Sequence, residues 1–166
     1  MKILNDTEEE VTLNLTKKHI VFEMENFTLV SRLLEGEFLN YENAIPKDNH
    51  IQVTVQTRQL IDSVERASLL INERMKSPLK FNFEYDTVKI SCTTPLGKVY
   101  DEFHTDPFQE SLEIGFNNRY VLDALKACED DEVVLSLGTP LSPMVVTPKE
   151  GNAFLFLVLP VRLKSE

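Results

Sequence analysis

The stretch IGFNNRYVLDALKAC, Ile114 to Cys128, decides how the chain is read. Ile114 and Phe116 alternate about Gly115 as in a strand. Val121, Leu122, Leu125 and Cys128 then fall at helical spacing. Asn117 or Asn118 stands where a side-chain oxygen caps a helix by accepting a backbone N–H bond. The unit is therefore a strand that turns directly into an amphipathic helix. Its polar face carries Arg119 and Lys126 in a chain of formal charge −10.

The same unit occurs once before. From Ile51 the chain alternates as IQVTV, Thr57 stands at an N-cap position, and RQLIDSVERASLLI follows with helical spacing. At an offset of 61 positions, Ile51, Val53 and Val55 fall on Leu112, Ile114 and Phe116. In that register Arg58 falls on Arg119, Leu60 and Ile61 on Val121 and Leu122, Asp62 on Asp123, and Val64 on Leu125. Three β-segments follow the first helix (LKFNFEYD, TVKISCTT, KVYDEFHT) and three follow the second (EVVLSLG, MVVTP, NAFLFLVLPVRL). The order is β-α-β-β-β, twice. Doubling the offset sets Val11, Leu13 and Leu15 on Val133, Leu135 and Leu137, so the N-terminal β-segments read as part of a third copy. GEFLNYENAIPKDNH, with Gly36 and Pro46, interrupts the pattern as a linker.

Burial of one stripe per helix and one face per strand sets the expected architecture. It is an α+β fold, a pseudo-twofold repeat of β-α-β-β-β units with two helices packed side by side on antiparallel sheets. On a helical wheel Leu60, Ile61, Val64, Ala67, Ser68 and Ile71 form the inner stripe of the first helix. Arg58, Arg66, Arg119 and Lys126 then share one outward surface. Such a surface reads either as ordinary solvated helix faces or as a mildly cationic face toward nucleic-acid phosphates. Leu69 and Leu70 lie off the stripe at the helix end, as exposed leucines or as a subunit contact.

Composition narrows the classes. With 42% hydrophobic and 27% charged residues the chain reads as globular rather than disordered. The longest apolar run, AFLFLVLPV, is about half of the ~18 residues of a membrane span, and MKILNDTEEE lacks the apolar core of a secretory signal. Cys92 and Cys128 make no disulfide framework and read as buried thiols of a cytoplasmic protein. His19, His50 and His104 share no spacing, and no zinc, phosphate-loop or nucleophile-elbow motif occurs. EDDE at 129–132 lacks the alternating ligands and glycine of a calcium loop. Asp62 and Asp123 lie on outward helix faces beside Arg58 and Arg119, where local ion pairing accounts for them. No catalytic residue, metal site or cofactor is expected.

The repeat and several segments together resemble the bacterial DNA polymerase III β subunit, the sliding clamp. These segments are SRLLEGEFLNYENAIP (31–46), RASLLINER (66–74), IGFNNRYVLDALKA (114–127), LSPMVV (141–146) and LVLPVRL (157–163). The resemblance implies a DNA-clamp fold, with residues 1–46 as the C-terminal half of the clamp's second domain and 47–166 as its complete third domain. It implies a non-catalytic processivity factor of the DNA polymerase III holoenzyme, whose head-to-tail homodimer ring encircles duplex DNA. Arg58, Arg66, Arg119 and Lys126 would face that DNA, and Leu69 and Leu70 would meet the other protomer. The ring's other domains lie outside this chain, which alone is expected not to close the ring.

The resemblance further implies a peptide groove between the second and third domains, used by the polymerase III α subunit, the clamp loader and other partners. Carried over by position, its walls are Asn43, Ala44, Met75, Asn117, Tyr120, Leu141, Pro143, Leu157, Leu159, Pro160, Val161, Arg162 and Leu163. Apolar pockets with a few polar groups to fix register suit a short peptide. The chain departs from the family pattern at Leu39, where proline is common, at Asn43, where a basic residue is common, and in its KSE end. The competing expectation is a free-standing adaptor that binds such peptides without encircling DNA.

Overall fold

In the computed structural model, residues 10–71, 77–108 and 110–163 are described. The chain divides into two compact units, Met1–Asn40 and Tyr41–Glu166. This divide lies ahead of the boundary after Pro46 expected from sequence, and it puts Asn43 and Ala44 in the second unit.

The first unit is an antiparallel meander of β1 (Thr12–Leu15), β2 (His19–Met24) and β3 (Phe27–Arg32). Thr16 closes the first turn: its hydroxyl donates to the His19 carbonyl and accepts from the His19 N–H, both at 3.0 Å. Among the described residues the unit has no helix. The alternation that marks β1 therefore leaves Leu13 and Leu15 exposed.

The second unit contains the doubled motif. β4 (Ile51–Gln56), α1 (Thr57–Ala67), β5 (Leu79–Glu84), β6 (Thr87–Thr94) and β7 (Gly97–His104) form the first copy. β8 (Leu112–Phe116), α2 (Asn118–Lys126), β9 (Glu132–Leu137), β10 (Met144–Pro148) and β11 (Phe156–Val158) form the second. The copies exchange their first strands. One sheet runs β11-β10-β9-β4 and the other β8-β5-β6-β7, so each opening strand pairs with the other copy's sheet. Val53 lies opposite Leu135, and Ile114 opposite Phe81. A short extra strand, β12 (Pro160–Val161), breaks the symmetry by adding to β8.

The expected core stripe is present. Leu60, Val64, Ala67 and Leu125 are fully buried, together with Phe81, Phe83 and Phe116. The Phe81 and Phe116 rings meet edge-on with centroids 5.4 Å apart. Each such leucine, valine or phenylalanine contributes about 1.5–3 kcal/mol of transfer free energy.

The helix ends differ from expectation in two places. Asn117 does cap α2, its Oδ1 accepting from the Arg119 N–H at 2.9 Å. Thr57 does not cap α1; it is the first helical residue, and the N-cap Gln56 makes no side-chain cap bond. Thr57 instead donates its N–H to the Asp131 carbonyl at 2.8 Å and its hydroxyl to the Asp130 carbonyl at 2.7 Å. The acidic stretch after α2 thus anchors the start of α1 through its backbone. At the other end α1 stops at Ala67, with Leu69 and Leu70 in the following turn.

Candidate functional site

Two faces of the second unit carry the candidate residues. On the helical face α1 and α2 pack against each other. Arg58, Arg66, Arg119 and Lys126 are all exposed there. Acids attend Arg58, Arg66 and Lys126. Arg58 Nε lies 3.0 Å from Asp62 Oδ1 one turn along α1. Lys126 donates from Nζ to Glu65 Oε1 at 2.6 Å across the helix pair. This bond holds the Glu65 carboxyl below its ordinary range. Arg66 donates from Nη2 to Asp101 Oδ2 of β7 at 2.7 Å, which raises the guanidinium further.

The leucines at the end of α1 separate. Leu69 is 76% exposed. Leu70, expected alongside it on the surface, is half-buried, and its Cδ1 lies 3.7 Å from where a Cβ on Gly97 would stand. The helix ends before either residue, so the turn sends the two side chains in different directions.

The second face carries a cleft of about 580 Å³ lined by Glu113, Ile114, Gly115, Pro140, Leu141, Val161, Arg162 and Leu163. Alternation along β8 aims Leu112, Ile114 and Phe116 into the core, so Glu113 and Gly115 belong to the opposite side of the sheet. Of the thirteen wall residues carried over from the family, the cleft gathers Leu141, Val161, Arg162 and Leu163. The others among the described residues stand outside its lining. Asn117 caps α2, Tyr120 is exposed on that helix, and Asn43 and Ala44 lie at the short 3-10 turn Tyr41–Asn43. Pro143 and Leu157 are half-buried, Leu159 is exposed, and Pro160 pairs with Phe116. Met75 lies outside the described residues.

Sequence reasoning missed Gly115 as a site residue. It lies opposite Val161 in the β8–β12 pairing. A Cβ there would stand 2.5 Å from the Val161 carbonyl oxygen and 2.8 Å from Leu163 Cδ2. A glycine inside a strand is the signal that marks such a close backbone approach. Asn49 was also missed, and nothing in its linker setting distinguishes it. Its Nδ2 donates to the Ser136 carbonyl at 2.8 Å and the Pro143 carbonyl at 3.1 Å, tethering the loop that carries Pro140 and Leu141. Glu113 supplies an acid beside the cleft, paired with Lys80 at 3.2 Å. Apolar walls between one acid and one guanidinium suit an extended apolar peptide.

Among the described residues no group of three or more His, Cys, Asp or Glu is arranged to hold a metal ion. Burial pushes both thiols up, Cys92 fully inside the core and Cys128 half-buried beside Asp130. Cys128 donates weakly to the Ala124 carbonyl at 3.3 Å. No helix among the described residues is long and apolar enough to cross a membrane.

Two strand-exchanged β-α-β-β-β copies, with paired helices on one side and sheets on the other, define the DNA-clamp fold. Residues 42–162 match the family model described as "DNA polymerase III beta subunit, C-terminal domain", and the chain belongs to that family. The beta sliding clamp of Staphylococcus aureus is 31% identical over 163 residues, covering 97% of this chain and 43% of the relative. The crystal structure of the DNA polymerase sliding clamp from Bacillus subtilis superposes with a TM-score of 0.82 at 31% identity, over 98% of this chain and 44% of that one. The DNA polymerase III subunit beta from Pseudomonas aeruginosa gives 0.82 at 27% identity, over 98% and 45%. The chain thus spans less than half the length of these relatives.

Proposed function

We propose that this chain is the C-terminal part of a DNA sliding clamp, a non-catalytic processivity factor acting in the cytoplasm. In this reading the α1–α2 face lies toward duplex DNA. The opposite face takes short apolar peptides of the replicative polymerase, the clamp loader and other partners. The observation that carries the reading is the family match over residues 42–162, because that segment builds both faces. Exposed cations on the paired helices suit weak, sequence-independent contacts with phosphates. The cleft floor depends on β12, the strand outside the twofold repeat, as expected of a feature added to a symmetric scaffold.

The test is a titration of a labelled clamp-binding peptide, with a glutamine and hydrophobic anchors, against the wild type and a Leu141→Ala, Leu163→Ala double variant, both positions lining the cleft. At least a tenfold loss is expected, by truncation of apolar anchors in a small site. Equal affinities would reject the groove. Direct binding of the chain to a short labelled duplex separates part of a clamp from an adaptor: peptide binding with no DNA association at any salt favours the adaptor.

A further inference from the structure

Arg58 and Lys126 on the helical face are already occupied. Arg58 is engaged by Asp62 at 3.0 Å, and Lys126 by Glu65 at 2.6 Å. Both pairs are solvent-accessible, with side-chain exposures of 81% and 38% in the first and 55% and 47% in the second. Exposed pairs of this kind are held weakly and exchange readily. Neither pair has a core role. The buried stripe of α1 runs through Leu60, Ile61, Val64 and Ala67, and that of α2 through Val121, Ala124 and Leu125. Arg66 differs, because its partner Asp101 also accepts from the fully buried Ser63 and so fastens α1 to β7.

We infer that Asp62 and Glu65 act as resident competitors of phosphate, so that duplex DNA engages this face by exchanging one anion for another at Arg58 and Lys126. The inference rests on the DNA-facing reading of the helices and says how that face is tuned. A free cation meeting a phosphate releases a condensed counterion, which makes binding tight and steeply salt-dependent. A cation that must first leave a carboxylate exposes that carboxylate beside the polyanion. Most of the gain is then lost. The result is a surface that touches DNA without gripping it, which suits a protein that must slide. Charge arithmetic alone does not require this arrangement, since the chain's excess acid could lie anywhere on its surface. The structure sets two of those acids against two of the cations.

The experiment measures binding of the full chain to a labelled duplex by fluorescence anisotropy across salt. It compares wild type with Asp62→Asn/Glu65→Gln, and with Glu102→Gln/Glu150→Gln as a control of equal charge change. Each released cation should add about 0.9 to the slope of log affinity against log salt. Between about 50 and about 200 mM salt, the affinity lost should therefore be roughly tenfold greater for the Asp62/Glu65 variant than for wild type. The same variant should bind more tightly at low salt, and the control should keep the wild-type slope. Equal slopes for wild type and the Asp62/Glu65 variant would overturn the inference, as would an identical change in the control.

Arg58→Ala/Lys126→Ala separates the two levels of failure. If these substitutions weaken binding but neutralising the acids does not strengthen it, the resident-competitor inference fails and the DNA-facing reading stands. If removing the cations changes nothing even when the acids are neutralised, or if no variant binds duplex at the lowest salt, both fail.

Discussion

Glu65 and Lys126 occupy equivalent positions in the two repeats, and their side chains bond each other at 2.6 Å across the α1–α2 contact. Their separation in sequence, 61 residues, is the repeat offset itself. Equivalent points meet only close to the axis that exchanges them, so this pair marks the local twofold of the domain. The preceding equivalent pair, Val64 and Leu125, is fully buried. Backbone symmetry with identical residues would put two like charges together at Glu65 and Lys126. The copies have diverged there to opposite charges, and repulsion becomes an ion pair.

Charge reversal at this axis should therefore behave as a cycle. Lys126→Glu or Glu65→Lys alone creates like charges and lowers stability, and the double exchange restores it. Both side chains are exposed, so each single effect should stay within about fivefold in the unfolding equilibrium at low salt. Glu65 has its carboxyl depressed by Lys126. Its contribution is present above the ordinary carboxylate pKa and disappears as pH falls through the lower folded value. Urea denaturation at neutral and acid pH checks both statements; a double variant no better than the singles would show that the pair contributes nothing.

Asp101 does a different job on the edge strand. It accepts from Ser63 Oγ at 2.5 Å and from Arg66 Nη2 at 2.7 Å, joining α1 to β7. Burial works to raise this carboxyl, yet the bonds from Ser63 and Arg66 together hold it below its usual value. Asp101→Ala leaves the fully buried Ser63 hydroxyl without that acceptor, at a cost of about 1–3 kcal/mol. Asp101→Asn keeps the shape and removes the charge. Because the folded pKa is depressed, the advantage of aspartate over asparagine should be full at neutral pH and close as pH falls below about 4. Chemical denaturation of the three proteins across pH measures it.

Gly115 gives the cleft its own test. Gly115→Ala drives a methyl into the Val161 carbonyl, which stands 2.5 Å from the Cβ position. Backbone cannot yield as a flexible side-chain tip does, so β12 should shift away from β8. The expected loss of stability is about 1–3 kcal/mol, with faster amide exchange at 161–163 and weaker peptide binding. Unchanged exchange in that segment would mean that β12 tolerates a side chain beneath it.

Much of this was legible in the sequence because it is local. Alternation at Ile51–Val55 and Leu112–Phe116 identified both opening strands, and the 61-residue register identified both inner helix stripes. Strand pairing was not legible. Alternation tells which face of β4 is buried, but the pairing of Val53 with Leu135 depends on another strand far along the chain. The end of α1 was overread because Ile71 continues the apolar period and still packs on the core, reaching it by a turn rather than by helix. The cleft was half-legible: Val161 and Leu163 came from family position, whereas Gly115 and Glu113 face outward from a strand read only for its buried side.

His50 links two segments that flank the opening strands. Its Nε2 lies 3.0 Å from Glu110 Oε2, and its Nδ1 lies 3.1 Å from the Asp48 carbonyl. Only the imidazolium donates to both acceptors at once, since the neutral ring has a single N–H. The Asp48 carbonyl and then the Glu110 carboxylate therefore raise this pKa above the ordinary histidine value. A raised folded pKa means that the stabilisation is fully present below the unfolded pKa and is lost as pH rises through the folded one. Glu110→Gln should lower the titration midpoint followed by NMR of the ring protons. It should not return it fully, because the larger contribution from Asp48 remains. Amide exchange around residues 47–50 should quicken above the midpoint in the wild type and show a weaker pH dependence in the variant. A midpoint unmoved by Glu110→Gln would assign the shift to the Asp48 carbonyl alone and remove the link between the two segments.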